Sequence, residues 1–290
     1  MINYIFHNQI DRARYDACIE NSISCRTYAY SWYLDAVCET WDVFMTGNYE
    51  VVMPVPKRKK YGLSYVFTPS WVQQLGIFSS RDISTEESRL FKETLASKFH
   101  WIDYHFNSGN LISDGQITVK KNYVLPLNGE FRDLLRNYNK NRKRASSVSL
   151  DHLVLDKEGS LEVFIKNYHA IEKPYKIEED SMKKLMTLAQ RNPQHVHIWN
   201  VFDDNGFRGG LIWAKDSKRI TYLLPVANEK AKNENIPTFV INELIKDHLN
   251  QGLVLDFEGS MISGVANFYK SFGADEENYY YFKKRFFNHA

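Results

Sequence analysis

The sequence is 290 residues long, with 43% hydrophobic residues, 25% charged residues and a formal net charge of +2 at pH 7, a balance typical of a folded chain of one large or two smaller domains and not of a disordered one. The nearly neutral charge gives no indication of DNA binding, the opening MINYIFHNQI does not resemble a signal peptide, and no apolar run approaches the roughly 18 residues that span a bilayer. Three cysteines, at spacings that match no zinc or redox motif, complete the expectation of a cytoplasmic protein with no membrane span and no bound metal.

The first half of the sequence predicts a helix, a two-stranded hairpin, a third strand, a second helix and a fourth strand. Hydrophobic alternation marks the strands, the turn at Gly47-Asn48 closes the hairpin, and Ser84 is the expected N-cap of the second helix. In chain order the segments are SWYLDAVCETW (31–41), WDVFMTGNYEVVMPVPKRKK (41–60), LSYVFTP (63–69), STEESRLFKETLASKF (84–99) and HWIDYHF (100–106).

The second half repeats the order hairpin, strand, helix, strand. Its segments are HVHIWNVFDDNGFRGGLIWAKD (195–216), RITYLLP (219–225), IPTFVINELIKDHLNQG (236–252) and LVLDFEG (253–259). Pro69 corresponds to Pro225 and Asp103 to Asp256 at nearly constant separation. This collinearity favours two copies of one α/β unit, although the order is also a common one in unrelated proteins.

The segment between the copies is helical and ends in a basic cluster. Phe131, Leu134, Leu135 and Tyr138 share one helical face, and Lys140, Arg142, Lys143 and Arg144 follow. Two further helices are predicted at 160–172 and 178–192, interrupted at Pro174. We therefore expect two domains, residues 1–128 and residues 129–290, the second with a helical preface.

Three segments together resemble the tandem-GNAT proteins of the Fem type, which include peptidoglycan aminoacyltransferases and other GNAT-like acyltransferases. They are TPSWVQQLGIF (68–78), LLRNYNKNRKRAS (134–146) and LVLDFEGSMISGVANFYKSFGA (253–274), the last being the most specific. The resemblance implies an α/β (α+β) fold of two GNAT-like units in tandem, with mixed, largely antiparallel sheets flanked by helices.

The resemblance also implies N-acyl or aminoacyl transfer from a thioester or ester donor to an amine. The donor would be an acyl-CoA or an aminoacyl-tRNA, which makes tRNA a possible partner, and the acceptor a cell-envelope precursor or an amino sugar. The alternative, from another class of function, is a catalytically silent binding or scaffold protein that has kept the fold.

The candidate catalytic residues lie in the last of the three segments. The family motif has a Lys directly after its first Phe, whereas here Tyr269 follows Phe268 and Lys270 comes one place later. On a helix this shift is a rotation of about 100°, so either Tyr269 or Lys270 is the candidate donor to the oxyanion, and Phe268 is a candidate substrate contact.

Two carboxylates precede that helix. Asp256 and Glu258 are spaced i, i+2 on a predicted strand, so both side chains would share one face and could form a general base. The alternative is structural, with Asp256 anchoring a loop and Glu258 capping the helix. Ser260 is a candidate N-cap or a substrate contact.

The donor site carries little signal. GNAT proteins that use CoA have a Gly-rich turn at a helix N-terminus, but residues 226–239 contain no Gly, and only Lys230 and Lys232 are available for phosphates. The segment KKYGLS (59–64) is a near match to such a turn in the first copy. The missing turn favours a donor that is bulkier than acetyl-CoA or of a different kind, such as an aminoacyl-tRNA.

Other candidates are basic or polar side chains near strand ends. Arg142 and Arg144 are candidate contacts for an anionic substrate, whereas the run Lys57–Lys60 is interpreted as a solvated strand end. The remaining candidate substrate contacts are Trp71, Gln73, Gln74 and Tyr222, in a groove expected between the copies. His195 and His197 lack an acidic or Cys partner at metal-ligand spacing.

Overall fold

The computed structural model describes residues 1–112, 114–171, 176–259 and 261–285. The strands are β1 (Asn3–Ile5), β2 (Trp41–Thr46), β3 (Val51–Lys60), β4 (Leu63–Val66), β5 (Phe78–Ser79), β6 (Ile102–Phe106), β7 (Ile117–Pro126), β8 (Val154–Asp156), β9 (Val196–Asp203), β10 (Gly206–Lys215), β11 (Arg219–Ala227), β12 (Val254–Asp256) and β13 (Asp275–Lys284). The helices are α1 (Arg12–Asn21), α2 (Ser31–Val37), α3 (Thr85–Lys98), α4 (Phe131–Asn137), α5 (Lys140–Ser146), α6 (Leu161–Ala170), α7 (Glu179–Arg191), α8 (Glu229–Asn233), α9 (Ile236–Asp247) and α10 (Ser263–Lys270). No helix in the described ranges is long and apolar enough to cross a membrane.

The chain divides into two compact units, Met1–Lys121 with the chain from Glu277 onward, and Asn122–Glu276. In the first unit the strands follow the order β1-β2-β3-β4-β6-β13. All neighbouring pairs in this order are antiparallel except β4 and β6, which are parallel. The short strand β5 also pairs with β3.

The second unit repeats this arrangement strand for strand. Its order is β8-β9-β10-β11-β12-β7, again antiparallel throughout except for one parallel pair, β11 and β12. A helix connects the two parallel strands in each case, α3 in the first unit and α9 in the second, as a parallel crossover requires. The mixed α/β architecture and the repeated order predicted from the sequence are confirmed.

The sixth strand of each unit departs from the order in sequence. Strand β13, at the end of the chain, pairs with β6 and completes the strand order of the first unit. Strand β7, which directly follows the first copy, pairs with β12 and completes that of the second. The predicted domains 1–128 and 129–290 divide the chain at a similar place but assign the C-terminal segment to the second half. In the structure this segment belongs to the first unit, because the backbone of Tyr280–Lys284 pairs with strand β6.

Local chemistry explains most element boundaries. Ser84 forms the predicted cap of α3 as a capping box, in which its side chain accepts from the Glu87 amide and the Glu87 carboxylate accepts from the Ser84 amide. The predicted helix at 134–146 is instead two helices, α4 and α5, because Asn139 caps a new helix with its own side chain. The predicted break at Pro174 lies outside the described residues.

The core of the second unit lies between α9 and the sheet. Helix α9 buries one face, including Ile241 and Leu244, and the strands contribute Leu211, Ile220 and Leu255, all with no exposed surface. Strand β12, which contributes Leu255 to this layer, ends at the candidate site residue Asp256.

We predict that the C-terminal strand is an integral part of the first unit. Phe282 on β13 has no exposed surface, so Phe282→Ala should lower the free energy of unfolding by about 3–5 kcal/mol. Lys283→Ala, at the exposed neighbouring position, should change it by less than about 0.5 kcal/mol. Denaturant unfolding measures both, and equal effects of the two substitutions would contradict the assignment of β13 to the first core.

A second prediction concerns His197, a half-buried residue of β9 whose ring stacks on Trp213 at 4.2 Å between centroids. Burial, with the charges of His248 and Lys215 as smaller causes, lowers the pKa of His197 from 6.5 to about 4. Between pH 6.5 and 4 the unfolded chain therefore binds the proton more readily than the folded one, and the free energy of unfolding should fall as the pH drops through this window.

His197→Phe should make this pH dependence shallower, whereas His152→Phe, at an exposed position, should leave it unchanged. Some dependence should persist in the His197 variant because burial also lowers the pKa of His105 to about 4. Unfolding curves at several pH values measure how the free energy of unfolding depends on pH. The same dependence in wild type and His197→Phe would contradict the contribution assigned to His197.

Candidate functional site

Asp256, the last residue of β12, is fully buried and holds three segments of the second unit together. Its Oδ2 accepts from Arg219 Nη1 on β11 at 2.9 Å, and its Oδ1 accepts from Asn122 Nδ2 on β7 at 3.0 Å. Oδ1 also accepts from the backbone amide of Glu258 at 2.9 Å. The carboxylate thus connects two neighbouring strands and the turn that follows β12, the loop-anchoring arrangement that the sequence left open as an alternative.

The turn after β12 redirects the chain. The strand ends at Asp256, and Glu258 has a φ of +54°, in the left-handed region that non-glycine residues rarely adopt. Glu258 lies beyond the end of the strand. The alternation of side chains that would place it on the same face as Asp256 therefore does not apply to it. Helix α10 has Ile262 at its N-cap with no side-chain cap bond, so Glu258 does not cap it. Ser260 lies outside the described residues.

Tyr269 and Lys270 have opposite environments on α10. The Tyr269 ring stacks on Phe257 with centroids 4.8 Å apart and an interplanar angle of 18°, and the residue is 9% exposed. Tyr222, also buried, meets Tyr269 edge-on at 6.1 Å. Lys270, one residue later, has a side chain that is 49% exposed.

The Lys270 ammonium lies beside strand β7 and the start of β13. Its Nζ is 5.3 Å from the ring centroid of Tyr123 and 3.6 Å from Glu276 Oε2. Tyr123 follows the Asn122 that bonds Asp256, and its carbonyl accepts from the Phe257 amide at 3.0 Å. Two consecutive residues of β7 therefore contact the Asp256 turn and the Lys270 side chain.

Arg142 is packed into the second unit. Its Nε donates to Ser271 Oγ at 2.9 Å, and its Nη1 donates to Thr238 Oγ1 at the start of α9. The guanidinium also lies over two rings, 4.4 Å from the centroid of Phe268 and 4.7 Å from that of Phe272. Burial lowers the pKa of Arg142. Through these contacts Arg142 links α5 to α9 and to the end of α10.

Arg144 differs from Arg142. It is exposed on α5, and within the described residues no acidic side chain forms an ion pair with it. Of the two arginines named as candidate contacts for an anionic substrate, Arg142 is thus packed into the fold and Arg144 is exposed.

The segment predicted to hold the donor contains the short helix α8. Its two lysines have acidic neighbours on the same helix or at its end: Lys232 Nζ is 2.6 Å from Glu229, and Lys230 Nζ is 3.9 Å from Glu234. The near-match segment 59–64 is the two-residue turn between β3 and β4, where Tyr61 and Gly62 have positive φ. It closes a hairpin and does not begin a helix, so it does not form the Gly-rich turn at a helix N-terminus that CoA-binding GNAT proteins use.

The remaining candidates belong to the first unit. Trp71 has a φ of +66° and its carbonyl accepts from the Tyr33 hydroxyl. Gln74 is fully buried and donates through Nε2 to Gln73 Oε1 at 2.6 Å. Of the described side chains, none has been found to donate to the buried Oε1 of Gln74.

The sequence did not single out Arg219, Asn122, Thr238 or Ser271, which hold the candidate residues in place. Arg219 is the first residue of β11, which was predicted from its apolar residues alone. Asn122 belongs to β7, which was not predicted. The available signal was the apolar run YVLP directly after Asn122, which contains strand-forming residues.

The strand order and the helices give the fold of tandem GNAT proteins, the fold that the sequence resemblance implied. Among solved structures the chain is similar to FemX, with a TM-score of 0.66 at 9% identity over 97% of each chain. It is also similar to a conserved protein of unknown function from Bacteroides thetaiotaomicron, with a TM-score of 0.61 at 11% identity over 98% of this chain and 100% of that one. A tandem GNAT protein from the clavulanic acid biosynthesis pathway gives 0.55 at 10% identity over 98% of each. No family model and no curated protein sequence matches the chain.

We predict that the Arg219–Asp256 pair is essential for stability. Arg219→Met leaves a buried carboxylate without its cation and should cost about 3–5 kcal/mol of unfolding free energy. Adding Asp256→Asn should restore part of that loss, because the remaining group is neutral. Arg144→Met, which removes an exposed cation, is the control and should have little effect. An Arg219→Met variant as stable as the control would contradict the prediction.

Proposed function

We propose that the protein is an acyltransferase, whose second unit moves an acyl or aminoacyl group from a thioester or ester donor to an amine. The observation that carries the proposal is the arrangement on β7, where the neighbouring residues Asn122 and Tyr123 contact the Asp256 turn and the exposed Lys270 side chain. The tandem GNAT fold supports the same class of reaction.

In this proposal Lys270 stabilises the developing charge. The amine nitrogen attacks the donor carbonyl carbon, a C–N bond forms, and the carbonyl oxygen becomes an oxyanion that the Lys270 ammonium meets. As the tetrahedral intermediate collapses, the C–S or C–O bond to the donor breaks. Glu258, a half-buried carboxylate on the turn, receives the amine proton and passes it to the leaving thiolate or alkoxide, which restores the carboxylate.

Tyr269 and Asp256 have positioning roles in this scheme. The stacking of Tyr269 on Phe257 fixes the rotation of α10, and therefore the direction in which Lys270 projects. Asp256 fixes the turn that carries Glu258 through its amide. The other proposed substrate contacts are Phe268, Tyr222, Arg144, Arg142, Ser260, Trp71, Gln73 and Gln74.

The donor is proposed to be an acyl-CoA or an aminoacyl-tRNA. The segment between β11 and α9 has no Gly, and its two lysines have carboxylate neighbours. The exposed Arg144 is the cation proposed to meet the donor's phosphates. The acceptor amine is proposed to belong to a cell-envelope precursor or an amino sugar, which follows from the Fem-type resemblance.

A second candidate is a binding or scaffold protein without turnover. The environments of Asp256 and Tyr269 favour it, because the first is enclosed by protein donors and the second is packed in an aromatic cluster. Both candidates predict ligand binding, and only the enzyme predicts release of free thiol or deacylated tRNA.

The test combines binding and turnover. A thermal-shift panel of acetyl-CoA, longer acyl-CoAs, aminoacyl-tRNA and nucleotide sugars identifies the donor and acceptor classes. With a donor that reacts, Lys270→Met should lower kcat/KM by about 10²–10³, the loss expected for one oxyanion donor. Tyr269→Phe, which keeps the stacked ring, should lower it by less than tenfold.

Lys246→Met is the matched control, since Lys246 is a partly exposed lysine that pairs with Glu243 on α9. It should leave turnover unchanged. A larger loss in Tyr269→Phe than in Lys270→Met would reassign the oxyanion donor to the tyrosine, and binding without turnover for every donor would favour the scaffold candidate.

A further inference from the structure

The first unit contains a cavity of about 510 Å³ that the proposed acyl transfer does not use. It lies at the hairpin between β3 and β4, the carboxyl end of α3 and strand β1. Its size falls within the roughly 300–1,000 Å³ of small-molecule sites. The cavity faces the start of β4, whereas Trp71, Gln73 and Gln74 follow the end of that strand.

Aromatic rings form much of the cavity wall. Tyr65 stacks on Trp101 with centroids 4.9 Å apart and an interplanar angle of 27°. Tyr61, at the tip of the hairpin, is 92% exposed. Tyr4 lines the opposite side from β1. Exposed rings beside an existing stacked pair are the type of surface on which nucleic acid bases stack, because every base presents a π-face.

Two lysines add positive charge to the same wall. Lys60 Nζ lies 5.6 Å from the Trp101 centroid and 5.5 Å from that of Tyr61, and Lys98 Nζ lies 3.9 Å from that of Tyr4. Neither lysine forms an ion pair with an acidic side chain of the described chain. Lys57, which also lines the cavity, is by contrast neutralised by the buried Asp42.

We propose that this cavity binds an unstacked nucleotide, with its base against Tyr61 and the Tyr65–Trp101 pair and its phosphate between Lys60 and Lys98. Rings without cations would suit an apolar ligand, and cations without rings a simple anion; the combination fits a ligand that is both planar and anionic. The nucleotide is either a free nucleoside phosphate or an unpaired nucleotide of a single-stranded RNA. The site goes beyond the proposed acyl transfer, since every residue that forms it belongs to the first unit.

The test measures binding of UMP, AMP and UDP by calorimetry, and of a fluorescein-labelled ten-nucleotide RNA by anisotropy, to the full chain. Tyr61→Asn removes the ring while supplying the Asn-Gly pair that this type of turn prefers. It should therefore keep or raise the melting temperature while weakening binding roughly 5- to 150-fold, as expected for loss of one stacking ring.

Charge is tested with Lys60→Gln combined with Lys98→Gln, against Lys59→Gln as the matched control. Lys59 is an exposed lysine on the same strand that does not line the cavity. The double variant should weaken RNA binding and reduce the slope of log affinity against log salt by about 0.7, since the two lysines meet one phosphate and each phosphate contact of a single strand contributes about 0.7. The control should retain the affinity of the wild type.

Equal affinity for nucleotides and RNA identifies the free nucleotide as the ligand, and tighter RNA binding identifies an unpaired nucleotide of single-stranded RNA; both support the proposal. No binding at millimolar nucleotide, an unchanged affinity in Tyr61→Asn, or an equal loss in Lys59→Gln overturns it. Binding only to anionic phosphatidylglycerol vesicles also overturns it. None of these outcomes depends on whether the second unit transfers acyl groups.

Discussion

The buried carboxylate of Asp256 is the contact on which the candidate site depends. Placing a charge out of water costs several kcal/mol unless it is paired and hydrogen-bonded, and this carboxylate receives donors from Arg219, Asn122 and the Glu258 amide. Each donor comes from a different segment of the second unit. Satisfying one charge therefore fixes β7, β11 and the turn after β12 relative to each other.

The turn transmits this constraint to helix α10. Once the chain has left the strand at Asp256, the left-handed conformation of Glu258 redirects it toward the helix. The helix then buries Tyr269 against Phe257, and the 100° step to the next residue turns Lys270 out of the core. The lysine of the motif stands one residue later than in the family. As a result Tyr269 is a buried ring and Lys270 an exposed cation, which is why Lys270 is the residue proposed to stabilise the oxyanion.

The two basic runs show that tertiary contacts decide whether a cationic side chain is available to bind a ligand. The cluster at 140–144 places Arg142 over two aromatic rings, with hydroxyl partners for its N–H groups, so that much of its binding capacity is used within the fold. The run at 57–60, interpreted from the sequence as a solvated strand end, places Lys60 beside Trp101 in the wall of a cavity. A count of lysines and arginines does not distinguish these cases, because the difference lies in the residues that face them.

The repeat of the strand and helix order was also only partly predictable from the sequence. The hairpins, the crossover helices and the Ser84 N-cap rest on alternation, helical periodicity and cap chemistry, which act over a few residues, and these predictions were confirmed. Strands β7 and β13 were not predicted, although ITVKKNYVLP and the aromatic run NYYYFKK have strand-forming residues. Their assignment depends on partners far away in the chain.

The sequence by itself determined the order of elements in each copy, the position of the motif that ends in Lys270, and the resemblance to the tandem GNAT proteins of the Fem type. Only the tertiary structure decided which strand completes each sheet, which donors enclose Asp256, and which of Tyr269 and Lys270 is exposed. The reason is physical: propensity, turns and caps are properties of neighbouring residues, whereas strand pairing and charge burial join segments that have no local signal for one another.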